Sequence, residues 1–331
     1  MHILIIGAAG MVGRKLGNRL AADGAIGGKP IARFTLADVV APQPLSGFTG
    51  PMDCVMVDLT TPGTAAALLE AKPDLIYHLA AIVSGEAEAD FEKGYSVNLD
   101  GTRALFEGIR LGRQGSDWTP RVVFASSIAV FGGDMPEAIG DEYLLTPETS
   151  YGAQKAICEL LLSDYSRRGF FDGIAIRLPT VCVRPGKPNR AASGFFSGII
   201  REPLAGLPAI LPVSDDVQHW MASPRATVEF LLHAAALDLA PLKNRRAMTM
   251  PGLAITVGGQ IAALERVAGS KVAALIEREP DPVIAHIVSG WARGFDTQRA
   301  EALGFVAETE FDEIIRVHIE DELGGKLPKL G

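Results

Sequence analysis

Short apolar runs alternate with amphipathic segments through the first 180 residues of the chain. The runs that predict strands are residues 2–6, 34–38, 54–57, 74–79, 121–125 and 173–178. Between them, helical periodicity predicts helices at residues 11–22, 64–71, 95–111 and 151–167. Strands that are apolar throughout and alternate with helices are typical of a parallel sheet covered on both faces. The pattern therefore predicts an α/β fold built on a doubly wound parallel sheet.

The pattern changes after residue 178. Gly, Pro and Arg recur through residue 212, and Ser223-Pro224 predicts the start of a helix at residues 225–239, because serine caps helices and proline favours the first helical position. Residues 246–250 predict one more strand, and the helix-rich remainder contains a candidate strand at residues 271–276. We therefore expect a first domain of residues 1–180 and 213–250, and a smaller, interleaved C-terminal substrate domain of residues 181–212 and 251–331.

Composition excludes several classes of partner. The chain has 31 Lys and Arg against 39 Asp and Glu, a net charge of −8, whereas proteins that bind nucleic acid carry clustered cations. No apolar run approaches the roughly 20 residues of a membrane helix. Three isolated cysteines and an N-terminus that runs directly into a strand predict a cytoplasmic protein without disulfides. The six histidines have no zinc-ligand spacing, so we expect no metal.

A glycine-rich loop follows the first predicted strand and opens the first predicted helix. Gly7 permits a tight turn, Gly10 lets the backbone approach a pyrophosphate, and Gly13 lets helix and strand pack closely. The phosphates would lie at the helix N-terminus beside Met11 and Val12, where backbone N–H groups lack partners within the helix. The strand before the loop and the helix after it favour a Rossmann dinucleotide site over a glycine turn without a ligand.

Further candidate cofactor contacts stand at the ends of the next strands. Asp38 ends the second strand, where a carboxylate accepts hydrogen bonds from the adenine ribose and repels a 2′-phosphate. This favours NAD over NADP, although a strand-end Asp also caps turns. The other candidates are Asp58 and Leu59 near the adenine, with helix capping as the alternative for Asp58, and Leu79, Ala80 and Ala81 after the fourth strand. We interpret His78 as a packed histidine rather than a catalyst.

Candidate catalytic residues stand at a strand end and at the start of the following long helix. Tyr151 and Lys155 are four residues apart and therefore project from one helix face. A free tyrosine titrates near pH ~10, and a nearby ammonium stabilises the phenolate, so this pair suits a general base. Ser126 and Ser127 end the preceding strand and offer a hydroxyl to orient the substrate.

Taken in order, these motifs resemble those of the extended short-chain dehydrogenases/reductases. The matching segments include HLAA at residues 78–81, SSIAVFG at 126–132, YGAQK at 151–155 and RLPTVCVRPG at 177–186. The resemblance implies that Tyr151 is the base, Lys155 its partner and Ser127 the serine that orients the hydroxyl, with Ser126 as the competing choice. It also implies that Asn98 supports the site, and that the segment from Pro179 to Val181 binds the nicotinamide amide.

Departures from the wider superfamily narrow the prediction. Ile128 and Ala129 stand where sugar-nucleotide dehydratases carry an Asp-Glu pair, and Phe131 stands where epimerases often have tyrosine. The opening MHILIIGAAGMVGRKL and the later segments at residues 35–42, 193–206 and 219–231 most resemble the D-erythronate dehydrogenases. That resemblance implies NAD-dependent oxidation of the 2-hydroxyl of a four-carbon sugar acid. The alternatives are a nucleotide-sugar epimerase, another hydroxy or amino acid dehydrogenase of the superfamily, and an inactive NAD-binding protein.

An acidic substrate requires a cation to hold its carboxylate. Arginine suits this role because its planar fork makes two parallel hydrogen bonds, and the candidates are Arg184, Arg190 and Arg225. For Arg225, a surface ion pair is the alternative role. Asn189 and Ser193 are candidates for contact with the remaining hydroxyls. Residues 95–111 and 151–167 resemble the helices that pair across dimers in the superfamily, which predicts a homodimer, with packing in the core as the alternative explanation of their apolar faces.

Overall fold

The computed structural model of the protein describes residues 1–186 and 193–327. Its strands are β1 (His2–Ile6), β2 (Ala25–Ile26), β3 (Lys29–Pro30), β4 (Arg33–Asp38), β5 (Met52–Met56), β6 (Leu75–His78), β7 (Arg121–Ser127), β8 (Asp172–Leu178), β9 (Thr180–Val181), β10 (Ala209–Leu211), β11 (Gln218–Ala222), β12 (Ala247–Thr249), β13 (Leu253–Thr256) and β14 (Ile276–Arg278). Its helices are α1 (Met11–Asp23), α2 (Thr64–Leu69), α3 (Ser84–Ala89), α4 (Phe91–Gly94), α5 (Gly101–Gly112), α6 (Ser150–Arg167), α7 (Gly194–Leu204), α8 (Pro224–Ala236), α9 (Val257–Ala268), α10 (Ser270–Ala273), α11 (Pro282–Ser289), α12 (Gln298–Ala302) and α13 (Phe311–Leu323). Tyr95–Asp100 forms a π-helical turn, and Ile128–Val130 and Ala240–Leu242 form 3₁₀ turns.

The largest sheet in the described part of the chain has seven strands in the order β12-β8-β7-β6-β1-β4-β5. β1 pairs in parallel with β4 on one side and with β6 on the other, and the pairs β4–β5 and β6–β7 are also parallel. The chain therefore builds the sheet outward from β1 in one direction and then in the other. This confirms the predicted doubly wound sheet, and its order reverses between β1 and β6, which is where such sheets bind ligands.

The first compact unit consists of Met1–Val130, Thr149–Arg177 and Val228–Met248. Leu4 and Ile6 of β1 pack in a buried core with side chains of α2, α5 and α6. Ile3 and Ile5 alternate with them along the strand and are equally buried on the opposite face. Because both faces of the strand are covered, its sequence is apolar at every position rather than at every second one.

The second compact unit consists of Phe131–Glu148, Leu178–Thr227 and Thr249–Gly331, of which residues 187–192 and 328–331 lie outside the described residues. It contains the three-stranded sheet β13-β11-β9 and the pair β10–β14. Its buried core includes Phe196 of α7, Met221 of β11, Leu264 of α9 and Ile314 of α13.

These units divide the chain differently from the predicted domains. Residues 131–148 and 213–227, which we expected in the first domain, belong to the second unit. β11 pairs with β9 and β13 rather than with the large sheet, and Ile139 forms a bridge with Phe295. These pairings join residues far apart in the chain, so a local pattern does not reveal them.

The predicted helices and strands differ from those of the structure mainly at their ends, with two exceptions. The helix expected at residues 95–111 begins with the π-helical turn Tyr95–Asp100 before α5. The strand expected at residues 271–276 is wrong over most of its length, because α10 occupies Ser270–Ala273 and β14 begins only at Ile276. Val272 of α10 and Ile276 of β14 are both buried, so the apolar positions that suggested one strand belong to two different elements. Across the described residues, no helix combines the length and apolar character that a membrane span requires.

Candidate active site

The glycine-rich loop packs directly against the loop that follows β6. Gly7 has a φ of +94°, and a Cβ on it would lie 2.7 Å from the Ala80 nitrogen. A Cβ on Gly13 would lie 2.2 Å from the Gly7 oxygen, so only glycine lets α1 begin this close to β1. Gly10 is exposed and is the N-cap of α1, with no side chain capping the first turn. The loop therefore presents bare backbone at a helix N-terminus, an arrangement suited to a pyrophosphate.

Asp38 links the end of β4 to this loop. Its Oδ2 accepts a hydrogen bond from the Ala9 nitrogen at 2.9 Å, and its Oδ1 accepts one from the Val40 nitrogen at 3.2 Å. A carboxylate has about four acceptor positions, so further hydrogen bonds from ribose hydroxyls are compatible with this arrangement. Asp58 is exposed, and its Oδ1 accepts a hydrogen bond from the Thr60 nitrogen at 2.8 Å, which closes a local turn. It does not cap the next helix, because the N-cap of α2 is Gly63. Leu59 is half-buried and lies beside Gly101.

A buried polar chain starts at the end of β6. The Nε2 of His78 and the Oγ1 of Thr102 are 2.8 Å apart, and Thr102 donates to the Asn98 carbonyl at 2.7 Å. Burial and the nearby Lys155 cation lower the pKa of His78 to about 3, so its ring is neutral and Nε2–H donates to Thr102. His78 thus packs and orients its neighbours, in agreement with the structural role expected for it.

Asn98 uses its whole amide inside the first unit. Its Oδ1 accepts from the Ile82 nitrogen at 2.9 Å, and its Nδ2 donates to the Ile82 carbonyl at 3.2 Å and to Gln154 Oε1 at 2.8 Å. Gln154 lies on α6 next to Lys155, so this amide pair connects the π-helical turn to α6. Leu79, Ala80 and Ala81 lie half-buried between His78 and this contact.

Tyr151 and Lys155 occupy the first two turns of α6, whose N-cap Thr149 accepts a hydrogen bond from the Gly152 nitrogen. The Lys155 Nζ lies 5.7 Å from the centroid of the Tyr151 ring and donates to the Ala125 carbonyl of β7 at 2.9 Å. It also faces the Phe124 ring at 4.6 Å. Lys155 is 2% exposed, and burial lowers the pKa of its ammonium to about 8. Helix and strand therefore hold a buried cation beside a phenol.

The two serines at the end of β7 differ in environment. Ser126 is 3% exposed and donates to Glu159 Oε1 at 2.6 Å. Ser127 is half-buried, and its Oγ accepts from the Ala129 nitrogen at 3.1 Å. Successive strand residues face opposite sides of a sheet, which explains why one hydroxyl points toward α6 and the other does not.

Glu159 and Arg177 form a buried ion pair that sequence reasoning missed. Arg177 on β8 donates to Glu159 on α6 through Nε and Nη2, at distances of 2.8 to 3.1 Å. Both residues are buried, with Arg177 6% and Glu159 2% exposed. The available signal was spacing, because Glu159 follows Lys155 by the same four residues that separate Lys155 from Tyr151.

Arg184, Ser193 and Arg225, three of the predicted substrate residues, belong to the second unit. Arg184 donates through Nη2 to Ser193 Oγ at 2.7 Å and through Nε to the Val181 carbonyl at 3.0 Å, so two of the predicted residues are bonded together. Val181 and its neighbour Thr180 pair with β11, and Pro179 is buried. Asn189 and Arg190 lie outside the described residues.

Arg225 is engaged at the surface of the second unit. Its Nη2 donates to Glu320 Oε2 at 3.0 Å and to Asp321 Oδ1 at 2.5 Å. The arginine side chain is 44% exposed. These contacts are the surface ion pair that the sequence left as the alternative role of this residue.

Within residues 1–186 and 193–327, no group of three or more His, Cys, Asp or Glu side chains could hold a metal ion.

Comparison with known proteins assigns the chain to a family. Residues 3–221 match the NAD dependent epimerase/dehydratase family. The D-erythronate dehydrogenase of Cupriavidus necator is 48% identical over 97% of this chain and 98% of its own, and that of Haemophilus influenzae is 40% identical over 98% and 100%. The chain belongs to the NAD dependent epimerase/dehydratase family, which confirms the resemblance read from its motifs. Its cofactor is NAD, and the bare glycine loop with Asp38 at its side fits that group.

Solved structures are similar to this chain in fold, and one of them is also similar in sequence. A nucleoside-diphosphate-sugar epimerase from Agrobacterium tumefaciens superimposes with a TM-score of 0.97 at 62% identity, covering 99% of this chain and 96% of that one. An L-threonine dehydrogenase from Cupriavidus necator superimposes with a TM-score of 0.82 at 23% identity over 97% of this chain and 99% of its own. The second likeness concerns the fold alone.

The glycine loop yields a paired prediction. Gly13→Ala forces a Cβ to within 2.2 Å of backbone and should destabilise the protein by about 1–3 kcal/mol, as overpacking does. Gly10→Ala is the matched variant, because its nearest neighbour would be the Gly7 oxygen at 3.3 Å, and it should weaken NAD binding with a smaller effect on stability. Thermal unfolding and NAD titration measure both. Equal melting temperatures for the two variants would contradict this account of the loop.

Proposed function

We propose that the protein oxidises the 2-hydroxyl of a four-carbon sugar acid with NAD, and that D-erythronate, converted to its 2-oxo acid, is the substrate. The observation that carries this proposal is the buried Lys155 ammonium lying 5.7 Å from the Tyr151 ring in a family that binds NAD. The choice of substrate rests on the two D-erythronate dehydrogenases, which match nearly the full length of the chain. Those names describe the two relatives, and the same substrate for this chain is our hypothesis.

In the proposed mechanism, Tyr151 removes the proton from the C2 hydroxyl. The Lys155 cation favours the phenolate form of that base, and its hydrogen bond to the Ala125 carbonyl keeps the cation in place. Bound NAD would accept the hydride from C2. The residues proposed to hold NAD are those predicted from the sequence: the loop from Gly7 to Gly13, Asp38, Asp58, Leu59, the segment from Leu79 to Ala81, Tyr151, Lys155, Pro179 and Val181. Asn98 was predicted among them, but its amide is bonded to Ile82 and Gln154, so we propose that it supports the site from behind.

We propose Ser127 as the residue that orients the substrate hydroxyl. Ser126 was the competing candidate, but its hydroxyl is directed to the buried Glu159 carboxylate. The shared task of these residues is positioning, since the cofactor supplies the redox chemistry.

We propose that Arg184 binds the substrate carboxylate, with Ser193 and Asn189 at the remaining hydroxyls. Arg184 is half-buried and its guanidinium is oriented by Val181 and Ser193, which favours the directed, two-pronged contact that a carboxylate requires. Arg225 remains a weaker candidate because Glu320 and Asp321 already accept its hydrogen bonds.

A homodimer and a cytoplasmic location complete the proposal. Ile157 and Leu160 of α6 are 37% and 67% exposed, which is apolar surface that a second copy would cover. Cys54, Cys158 and Cys182 are free thiols, as expected in a reducing compartment. Light scattering of the purified protein and cell fractionation test these two points.

A nucleotide-sugar epimerase is the second candidate. The Agrobacterium tumefaciens structure, 62% identical to this chain, carries that name. An epimerase returns the hydride to its substrate, whereas a dehydrogenase accumulates NADH. The two candidates therefore differ in a quantity that can be measured directly.

The expected result is net NADH formation with D-erythronate and related 2-hydroxy acids, and none with nucleotide sugars. Tyr151→Phe, which lacks one oxygen atom, should bind NAD normally and lose roughly 10²–10⁴-fold in kcat, the usual contribution of a general base. Absorbance of NADH across a substrate panel, with NAD titration as the control, tests both statements. Conversion of nucleotide sugars without NADH accumulation would establish the epimerase instead.

The two serines should respond differently to alanine. Ser127→Ala should lower kcat by roughly 10²-fold, because a hydrogen bond to the reacting oxygen is lost. Ser126→Ala should cost about 1.5–3 kcal/mol of stability, the value of a hydrogen bond to a charged group, with a much smaller loss of kcat. Steady-state kinetics and chemical denaturation measure the contrast. The reverse pattern would assign the orienting role to Ser126.

Arg184→Met should raise KM for the sugar acid strongly and leave NAD affinity nearly unchanged. Arg184→Lys should recover only part of the loss, because a point charge cannot reproduce the planar fork. Arg225→Met is the matched control and should change KM little, since that arginine is bound to Glu320 and Asp321. A large rise of KM in Arg225→Met alone would transfer the carboxylate site to Arg225.

A further inference from the structure

A three-residue polar cluster lies within the sheet and helix core of the first unit. Ser126 on β7, Glu159 on α6 and Arg177 on β8 are 3%, 2% and 6% exposed. Glu159 is the centre, because Ser126 donates to its Oε1 at 2.6 Å and Arg177 donates to both of its oxygens. One carboxylate therefore connects one helix to two strands. We call this group the Glu159 cluster.

Two members of the Glu159 cluster lie next to proposed catalytic residues, on the same strand β7 and the same helix α6. Ser126 directly precedes Ser127, and Glu159 lies one helical turn beyond Lys155. Lys155 itself binds the Ala125 carbonyl, the residue before Ser126. Along α6 and β7, two successive contacts therefore fix the same register, one through Lys155 and one through Glu159.

We propose that Glu159 is a positioning residue for the reaction. Held by Ser126 and Arg177, it fixes α6 on β7, so that Tyr151 and Lys155 keep their place relative to Ser127. Its negative charge, balanced by the Arg177 cation, also sets the electrostatic potential at Tyr151 and Lys155. This inference rests on the proposed function for the roles of Tyr151, Lys155 and Ser127. It assigns a task to a buried ion pair that the proposed mechanism leaves unused.

Few of the titratable groups that surround Lys155 are charged near pH 7. On its own helix lie Tyr151, Cys158 and Glu159, and burial raises the pKa of the Cys158 thiol to about 11, so that thiol is neutral near pH 7. On β6 lies His78, which is also neutral. Among the described groups that act on Lys155, Glu159 therefore supplies the negative charge, and Arg177 on β8 neutralises it.

A purely structural ion pair is the competing explanation. Removing one partner of a buried pair leaves an uncompensated charge and destabilises a protein whatever the pair does otherwise. Loss of stability or of kcat alone therefore does not separate the two explanations. The pH dependence separates them, because removing the anion and removing the cation change the field in opposite directions.

The test compares Glu159→Gln, Arg177→Met and the double variant. Glu159→Gln leaves a positive charge and should move the pH midpoint of kcat/KM down by about one pH unit, while Arg177→Met should move it up by a similar amount. The double variant restores neutrality without the buried charges, so its midpoint should return to that of the parent, and its fold should survive because neutral replacement of a buried pair is often tolerated. Asp164→Asn, on the exposed face of α6, is the control for charge removal and should leave the midpoint unchanged.

Unshifted midpoints in folded single variants, or shifts of the same sign in both, would overturn the inference and leave the pair a structural one. If either single variant fails to fold, the double variant decides: a parental midpoint with lowered kcat at unchanged KM supports positioning, and a parental kcat contradicts it. All rates are measured with whichever substrate the parent enzyme converts. Failure of the proposed function appears separately, as a parent protein that forms no NADH from any sugar acid.

Discussion

The Lys155 ammonium is the constraint on which the rest of the first unit depends. A lysine with 2% exposure loses most of its hydration, and burial accordingly lowers the pKa of its ammonium to about 8. The protein compensates with the Ala125 carbonyl, the face of the Phe124 ring and the Glu159 carboxylate one turn away. Because these partners come from a helix and a neighbouring strand, keeping the charge buried also keeps α6 and β7 in one register.

The neighbouring polar groups follow from that register. On one side of α6, Gln154 accepts a hydrogen bond from the Asn98 side chain, and the Asn98 carbonyl accepts one from the Thr102 hydroxyl. On the side facing β7 and β8, the Glu159 carboxylate accepts hydrogen bonds from Ser126 and Arg177. Buried polar groups are costly unless they are paired, so each of these bonds also stabilises the fold. Consequently the residues around the proposed base are held from several directions.

The comparisons show how little the fold alone says about the substrate. Proteins named as epimerases, D-erythronate dehydrogenases and L-threonine dehydrogenases share this architecture with the chain. What the solved structures share with this chain is the fold. The proposed difference lies in side chains such as Arg184 that hold one acid rather than another, and function must be argued from such sites.

Much of the first unit was predictable from the sequence by itself, because its determinants are local. Apolar runs, the glycine spacing and the four-residue interval between Tyr151 and Lys155 are readable along the chain, and they predicted the doubly wound sheet, the cofactor NAD and the family correctly. The Ser223-Pro224 start of α8 is also local, and Ser223 does accept from the Ala226 nitrogen at 2.9 Å. The roles of the individual site residues stay predictions.

Only the tertiary structure decided which distant groups meet. The pairing of Glu159 with Arg177, the ion pairs of Arg225 and the contact of Arg184 with Ser193 join residues on separate segments, and no local pattern shows which of these residues meet. The division of the chain into two units depends on β11 pairing with β9 and β13, which no local pattern indicates. Periodicity reports which face of an element is buried, whereas the partner of a buried polar group is fixed only when separate elements are packed together.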